Sequence, residues 1–397
     1  MGAQALEHSA AVTNHLRQCI IEAGGWLAFH RWMSEVLYAP GLGYYSAGST
    51  KIASREVPNQ RPNQTQSQTP DQKSERRGLT GDFVTAPELT PMFGRTLARQ
   101  VADILAICEQ PKILEFGAGT GQLARDLLET LGQMGCHPIY EILELSADLK
   151  ARQQQTLKDW PEQVRWIDAP YEGVEGVILA NEVLDAMPVH LVGFDDNSEV
   201  FERGVICSDQ GFAWQDRVAP DNIAAALRHR MPALPNYLTE INLAGEAWVQ
   251  TLARCLNKGL VLLIDYGFTA REYYHPQRAQ GTLMCHIQHR AHDNPFFAPG
   301  LQDITAHVDF SAMASVAQQG GLEVLGFTSQ ANFLLNSGLA ELAGDMTPTD
   351  IRAVDKLVSE AEMGELFKVL ALGRGISSRD IDWPLRGFKR SDRRHQL

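Results

Sequence analysis

The stretch at 177–188, VILANEVLDAMP, places Asn181, Glu182 and Asp185 at the exit of an apolar run that reads as a buried strand. Burying a carboxylate without a partner is costly, so these acids are expected at the edge of a site. Paired carboxylates suit a guanidinium or ammonium held by charge-assisted hydrogen bonds, and arginine fits a planar acidic fork best. Upstream, ILEFGAGTGQLARDLLET sets Gly117, Gly119 and Gly121 directly after another apolar run and ahead of a helical one. Glycines there permit a tight turn and close backbone approach to a ligand. The dinucleotide fingerprint needs a glycine at 122, where Gln122 stands, which argues against an oxidoreductase. With Glu115 ahead of it, EFGAGTG is the order expected for S-adenosylmethionine (SAM), which carries a nucleoside and a charged amino acid but no pyrophosphate.

Further acids extend this reading. Glu144 ends a second strand in YEILELS, where it can accept both ribose hydroxyls, and Asp168 ends a third in RWIDAP, near adenine's amino group. All fall at the carboxyl ends of expected parallel strands, where open α/β sheets bind ligands. Asn181 joins the cofactor set, as do Thr85 and Glu88 from GDFVTAPE, a polar segment that could close over cofactor. Glu182 and Asp185 are the candidate catalytic pair, with Glu182 the nearer to the transferred methyl. Tyr44, Tyr45 and Tyr266 are candidate walls of a substrate channel. So are His289, Arg290 and His292 in CHIQHRAHDNP. That block, with His286, Asp293, His307 and Asp309, invites a metal-hydrolase reading. No HExxH pattern supports it, and Gly281 and Pro295 make it a loop, so no metal is expected.

The elements that must position these groups follow from periodicity. Short apolar runs at 112–116, 138–143, 164–167, 177–181 and 260–265 alternate with helical stretches at 121–133, 147–157 and 236–256. Such alternation predicts an α/β fold, doubly wound around a mostly parallel sheet covered on both faces. Alternating hydrophobics at 189–216 predict an inserted hairpin, and GLEVLGFTSQ and LFKVLALGRG supply two closing strands. Helices are expected within 12–38 and from Pro91 to about Cys108. We divide the chain into an N-terminal helical cap region at 1–95, with a mobile polar loop at 55–78, and a core at 96–397 with insertions at about 189–235 and 275–310. The basic residues of the last stretch, Arg386 to Arg394, read as a solvated tail.

With 48 acidic against 35 basic residues the net charge is -13, which argues against nucleic-acid binding. Six scattered cysteines without a CxxC pair point to a reducing compartment. No apolar run reaches about 18 residues, so no membrane insertion is expected. The start reads as no secretory signal. A bacterial cytoplasm is the expected location, or a mitochondrion if the source is eukaryotic.

Taken together, GYYS at 43–46, GDFVTAPELTPMFG at 81–94, LEFGAGTG at 114–121, ANEVLDAMPV at 180–189, LLIDYG at 262–267, GTLMCHIQHRAHDNPF at 281–296 and DITAHVDF at 303–310 resemble the MidA family. That family of SAM-dependent methyltransferases includes a mitochondrial complex I assembly factor with protein arginine methyltransferase activity. The resemblance covers nearly the whole chain. It implies a class I SAM-dependent methyltransferase-like fold, seven-stranded with a final antiparallel strand. It implies SAM at Gly117, Gly119 and Gly121, and an active-site loop at Glu182 and Asp185. The partner it implies is a protein with an exposed arginine, a respiratory-complex subunit among the candidates, and a homo-oligomer is also open. The alternatives are a SAM-binding assembly protein without turnover and a small-molecule methyltransferase.

Overall fold

A computed structural model describes residues 2–47, 85–288 and 290–397; the polar tract at 55–78, Asp82 and His289 lie outside the described residues. The central sheet contains β1 (Lys112–Phe116), β2 (Ile139–Leu143), β3 (Val164–Ile167), β4 (Val174–Asn181), β5 (Leu256–Phe268), β6 (Glu323–Ser329) and β7 (Phe367–Arg374). Their spatial order is β6-β7-β5-β4-β1-β2-β3, with the short strand Val308–Asp309 alongside β5. The β1–β5 pairings are parallel, and β7 runs antiparallel to both β5 and β6. This is the doubly wound, mostly parallel sheet with a final antiparallel strand that the resemblance implies.

Side-chain alternation along these strands explains why both faces are covered. Ile113, Leu179, Leu262 and Val369 pack with Leu97 and Val101 of α3 (Pro91–Leu105) and with Leu127 of α4 (Gln122–Gln133). Their neighbours Leu114, Ile178, Leu263 and Leu370 face the other way. There they meet Leu252 of α6 (Leu243–Cys255) and Met313 of α7 (Phe310–Gln319). Between α4 and α6 lies α5 (Ala147–Thr156). Helix α3 starts where expected: Pro91 occupies its first turn and the Thr90 hydroxyl accepts from the Met92 amide at 3.3 Å. It ends at Leu105, one turn short of Cys108.

The insertion after β4 builds a second, antiparallel sheet. His190–Phe194 pairs with Val200–Ser208, as a hairpin should, and also with Tyr237–Ile241. The helix expected over 236–256 is therefore a strand followed by α6. Tyr237, Thr239 and Ile241 are residue types that suit a strand, and the pairing of this segment with His190–Phe194 satisfies its backbone. The N-terminal α1 (Ala3–Glu22) and α2 (Phe29–Tyr38) pack here through Val12, Leu16, Trp32 and Val36. The histidine block folds as a three-stranded sheet, Arg290–His292, Met284–Ile287 and Asp303–Thr305 in that order, rather than as a loop.

The basic tail is docked, not solvated. Arg386 forms a fork on Asp103 of α3 at 2.8 and 2.9 Å, and Arg393 pairs with Glu365. Phe388 is buried against Phe333, their ring centroids 5.4 Å apart. Counting charges overlooked that one aromatic anchor.

The register of the sheet depends on a glycine pair. Gly176 of β4 lies opposite Gly259 of β5, and a Cβ on Gly176, whose φ is +138°, would sit 2.0 Å from the Lys112 carbonyl oxygen of β1. Gly176→Ala should cost at least about 3 kcal/mol by pushing β1 and β4 apart. Denaturant unfolding checks this, and a variant with an unchanged midpoint would contradict it.

Candidate functional site

A cavity of about 900 Å³ opens at the carboxyl ends of β1, β2, β4 and β5. The glycine loop forms one wall. Gly117, Gly119 and Gly121 all have positive φ, and Gly121 caps α4 in the left-handed region. A Cβ on Gly117 would lie 3.1 Å from a Val183 methyl, a tight contact on top of the left-handed backbone. Glu144 stands at the end of β2, its carboxylate accepting from the Ser146 amide and from Gln153, both at 2.9 Å. Gln153, on α5, also donates to the Gly119 carbonyl at 3.0 Å and accepts from Trp166 of β3 at 2.9 Å. One fully buried amide thus ties the glycine loop to Glu144.

The second wall is the turn after β4. Asp265, buried at the end of β5, accepts from the amides of Val183, Leu184 and Asp185 on one oxygen, at 3.2, 3.0 and 3.3 Å. Its other oxygen accepts from the Tyr266 amide at 2.9 Å. The turn so held puts Glu182 at φ 54°, a left-handed value that a residue with a Cβ adopts only under constraint. Glu182 accepts from Asn181 at 3.1 Å and from the Ala86 amide at 3.4 Å. Asp185 lies in this same turn and receives the Tyr266 hydroxyl on Oδ2. The Oδ1 atoms of Asp185 and Asn181 are buried without a hydrogen-bond partner. Buried acceptors are normally paired, so both suit a ligand donor.

The remaining lining comes from the cap side. Thr85 and Glu88 belong to the short helix Ala86–Leu89 and its cap, and Glu88 receives the Thr120 hydroxyl. Tyr38 donates to the Ala186 carbonyl at 2.9 Å, and Tyr45 donates to Asp303, its hydroxyl 2.9 Å from both carboxylate oxygens. The lining holds the carboxylates Glu88, Glu115, Glu144, Glu182, Asp185 and Asp303, and no Lys or Arg among the described residues.

Several expected residues fall elsewhere. Asp168 is 99% exposed and lies off the cavity, 3.9 Å from Lys150, because β3 is the sheet's edge and its exit faces solvent. Tyr44 is buried in the core under α2, while Tyr45 turns to the cavity. Arg290 and His292 also lie off it, for a reason of strand period. His286 pairs with Ala291 and both line the cavity, whereas Cys285 and Ile287 pair with His292 and Arg290 on the opposite face. His307, unassigned from sequence, lines the cavity too, stacked on Phe268 at 5.1 Å. Gln153, Asp265, Asp303 and Tyr38 were also missed. Asp265 alone carried a signal, an acid ending the apolar run LVLLID like those that flagged Glu144 and Glu182.

Against this geometry the comparisons are specific. Residues 96–328 match the family described as "Putative S-adenosyl-L-methionine-dependent methyltransferase". The fold and site thus define a SAM-dependent methyltransferase. The chain belongs to that family, the MidA group, and its cofactor is SAM. A Burkholderia thailandensis protein solved bound to S-adenosyl-homocysteine is 46% identical, with a TM-score of 0.88 over 100% of this chain and 99% of that one. The Drosophila melanogaster mitochondrial protein arginine methyltransferase NDUFAF7 homolog is 26% identical over 95% of this chain and 88% of its own. The Homo sapiens mitochondrial NDUFAF7 is also 26% identical, over 91% and 83%. Among the described residues no helix is long and apolar enough to cross a membrane.

Electrostatics give this site a pH signature. Burial pushes the Glu115 carboxyl up to about 7, opposed by the Tyr140 hydroxyl. Burial and then the Asp185 charge push Glu182 up to about 8, and burial pushes Asp185 up to about 6 against the Tyr266 bond. Each acid is protonated more readily in the folded chain than in the unfolded one. Its contribution to stability is therefore full below the unfolded pKa and lost as pH rises through the folded value. The thermal midpoint of wild type minus that of Glu182→Gln should fall between about pH 5 and about pH 8. A difference that is flat or rises across that range would contradict the assignment.

Proposed function

We propose that the chain is a protein arginine N-methyltransferase, with Glu182 and Asp185 as its catalytic pair. The observation that carries this reading is the unpaired, buried Oδ1 of Asp185 in a cavity of six carboxylates lined, among the described residues, by no Lys or Arg. A cation belongs there, and the guanidinium of a protein substrate supplies planar donors for two acids. The curated relatives carry the name of protein arginine methyltransferases, which supports the same choice.

The glycine cradle and the Gln153-held Glu144 fit SAM. The Gly117–Gly121 backbone, Thr85 and Glu88 would hold its amino-acid part with Glu115, and Glu144 would take the ribose hydroxyls. Asn181, its own Oδ1 unpaired, is placed to accept from the same ligand. When bound, SAM supplies an electrophilic methyl group. Glu182 and Asp185 orient the guanidinium nitrogen, and Tyr266 fixes Asp185 through its hydroxyl. N-methylation releases one proton, and the Glu182 carboxylate, made basic by burial, is the group suited to take it. Tyr38 and Tyr45 on the cap side are the channel walls for the arginine's chain.

Gln153→Leu removes the bond between α5 and both cofactor-contacting elements. It should weaken SAM binding about tenfold in calorimetry while the chain stays folded. Glu182→Gln keeps size and removes charge, at a cost of about 3 kcal/mol in the transition state, roughly a hundredfold in turnover, with SAM affinity little changed. The assay is transfer of labelled methyl from SAM to protein in lysate of a strain lacking this chain. Label on arginine that disappears with Glu182→Gln supports the reading. Label on other residues, or an undiminished rate in the variant, overturns it.

A further inference from the structure

Outside the cavity, His30, His190 and Glu202 converge from three separate elements. His30 sits on α2, His190 starts the strand that leaves the 181–188 turn, and Glu202 lies on the adjoining strand Val200–Ser208. The His190 Nδ1 is 2.7 Å and the His30 Nδ1 3.7 Å from the same oxygen, Glu202 Oε1. One ligand atom from each residue lies within 4.8 Å of the others. The two imidazoles stack with centroids 3.8 Å apart, and His30 Nδ1 is buried without a hydrogen-bond partner.

We propose that His30, His190 and Glu202 form a binding site for a divalent transition ion of the zinc class. A tetrahedral zinc with bonds of about 2.0–2.1 Å spaces its ligand atoms at roughly 3.3 Å. The 2.7 and 3.7 Å nitrogen–oxygen separations bracket that value, and the stacked rings would swing apart to turn both nitrogens to one ion. Two imidazoles and one carboxylate match zinc's preference for nitrogen and oxygen donors, and would leave a fourth position for water. Access exists, since the His30 side chain is 31% exposed while those of His190 and Glu202 are 13% and 6%. Without an ion only His190 makes a short bond to Glu202, and the His30 Nδ1 atom is left with no hydrogen-bond partner. The ion would pin α2, which carries the cavity residues Ser34 and Tyr38, to the strand that follows the Glu182 turn. Its role is to brace the cavity wall, not to take part in methyl transfer.

The test uses the full chain, stripped of metal by chelation and titrated with Zn²⁺ alone in a calorimeter. One equivalent should bind with a Kd on the order of 1 μM or below, and should raise the thermal midpoint. His30→Gln and His190→Gln should each weaken binding at least about tenfold and abolish the thermal shift, with SAM binding retained as the check on folding. Co²⁺ in place of zinc should give visible absorption of a four-coordinate site in wild type and not in His30→Gln. Cys19→Ser, in the other trio of His15, Cys19 and Glu35, should leave binding unchanged. Absence of tight binding, affinity unaffected by either histidine variant, or loss of binding in Cys19→Ser would each overturn the proposal.

Discussion

The acidic wall of the cavity depends on the carboxylate of Asp265. One of its oxygens accepts three successive amides, those of Val183, Leu184 and Asp185, and the other accepts the Tyr266 amide. Four backbone donors converging on one buried acid satisfy groups that would otherwise be costly to bury, so this cluster can hold a turn that would not hold itself. Burial, together with the nearby Asp185 and Glu182, pushes Asp265 upward, while the backbone donors favour its ionised form. The turn is thus secured by a group whose own charge is contested. Glu182 accepts a left-handed backbone and Asp185 turns its carboxylate to Tyr266 because the amides between them are already committed.

Two supports of different kind meet at the cavity. The sheet gives a rigid floor: β4 lies between β1 and β5, so its exit is fixed by pairing on both sides. The cap side is built from smaller pieces, α2, the short helix Ala86–Leu89 and the three-stranded sheet that carries His286, Ala291 and Asp303. Among the described residues hydrogen bonds join the two at several places. Tyr38 reaches the Ala186 carbonyl, the Ala86 amide reaches Glu182, the Thr120 hydroxyl reaches Glu88, and the Ala306 amide reaches the Asp185 carbonyl at 3.0 Å. The side chains that would touch a substrate therefore sit between a floor fixed by strand pairing and a wall tied to it bond by bond.

The core was the most legible part of the sequence. β1 and β3 begin and end where their apolar runs do, and β4 and β5 extend beyond theirs. Buried strands show as unbroken apolar runs, and glycine loops show by composition. Tertiary direction was harder to read. Asp168 ends its strand as Glu144 does, but β3 is an edge and its exit points to solvent, a fact of strand order that no local pattern carries. From sequence the histidine block, with Gly281 and Pro295 beside it, reads as a loop, which hides the alternation that sends His286 inward and His292 outward. Tyr44 and Tyr45 differ only in which way successive side chains point. Gln153 left no signal, since a fully buried glutamine within ARQQQT looks like its exposed neighbours.

Several residues that break local rules gather at the cavity. Glu182 holds a backbone angle that favours glycine, and Asp185 and Asn181 keep buried acceptors unpaired. Carboxylates crowd where burial opposes their charge. Each feature lowers stability, and the fold opposes them with a double-sided core and with the amide bonds to Asp265. A cation in the cavity would reverse several at once, lowering the raised acids and pairing the empty acceptors. A site that is unfavourable alone and relieved by a positive ligand discriminates by charge before it discriminates by shape. An anionic or neutral ligand of equal size would leave the carboxylates unrelieved, and that difference in free energy is where selectivity begins.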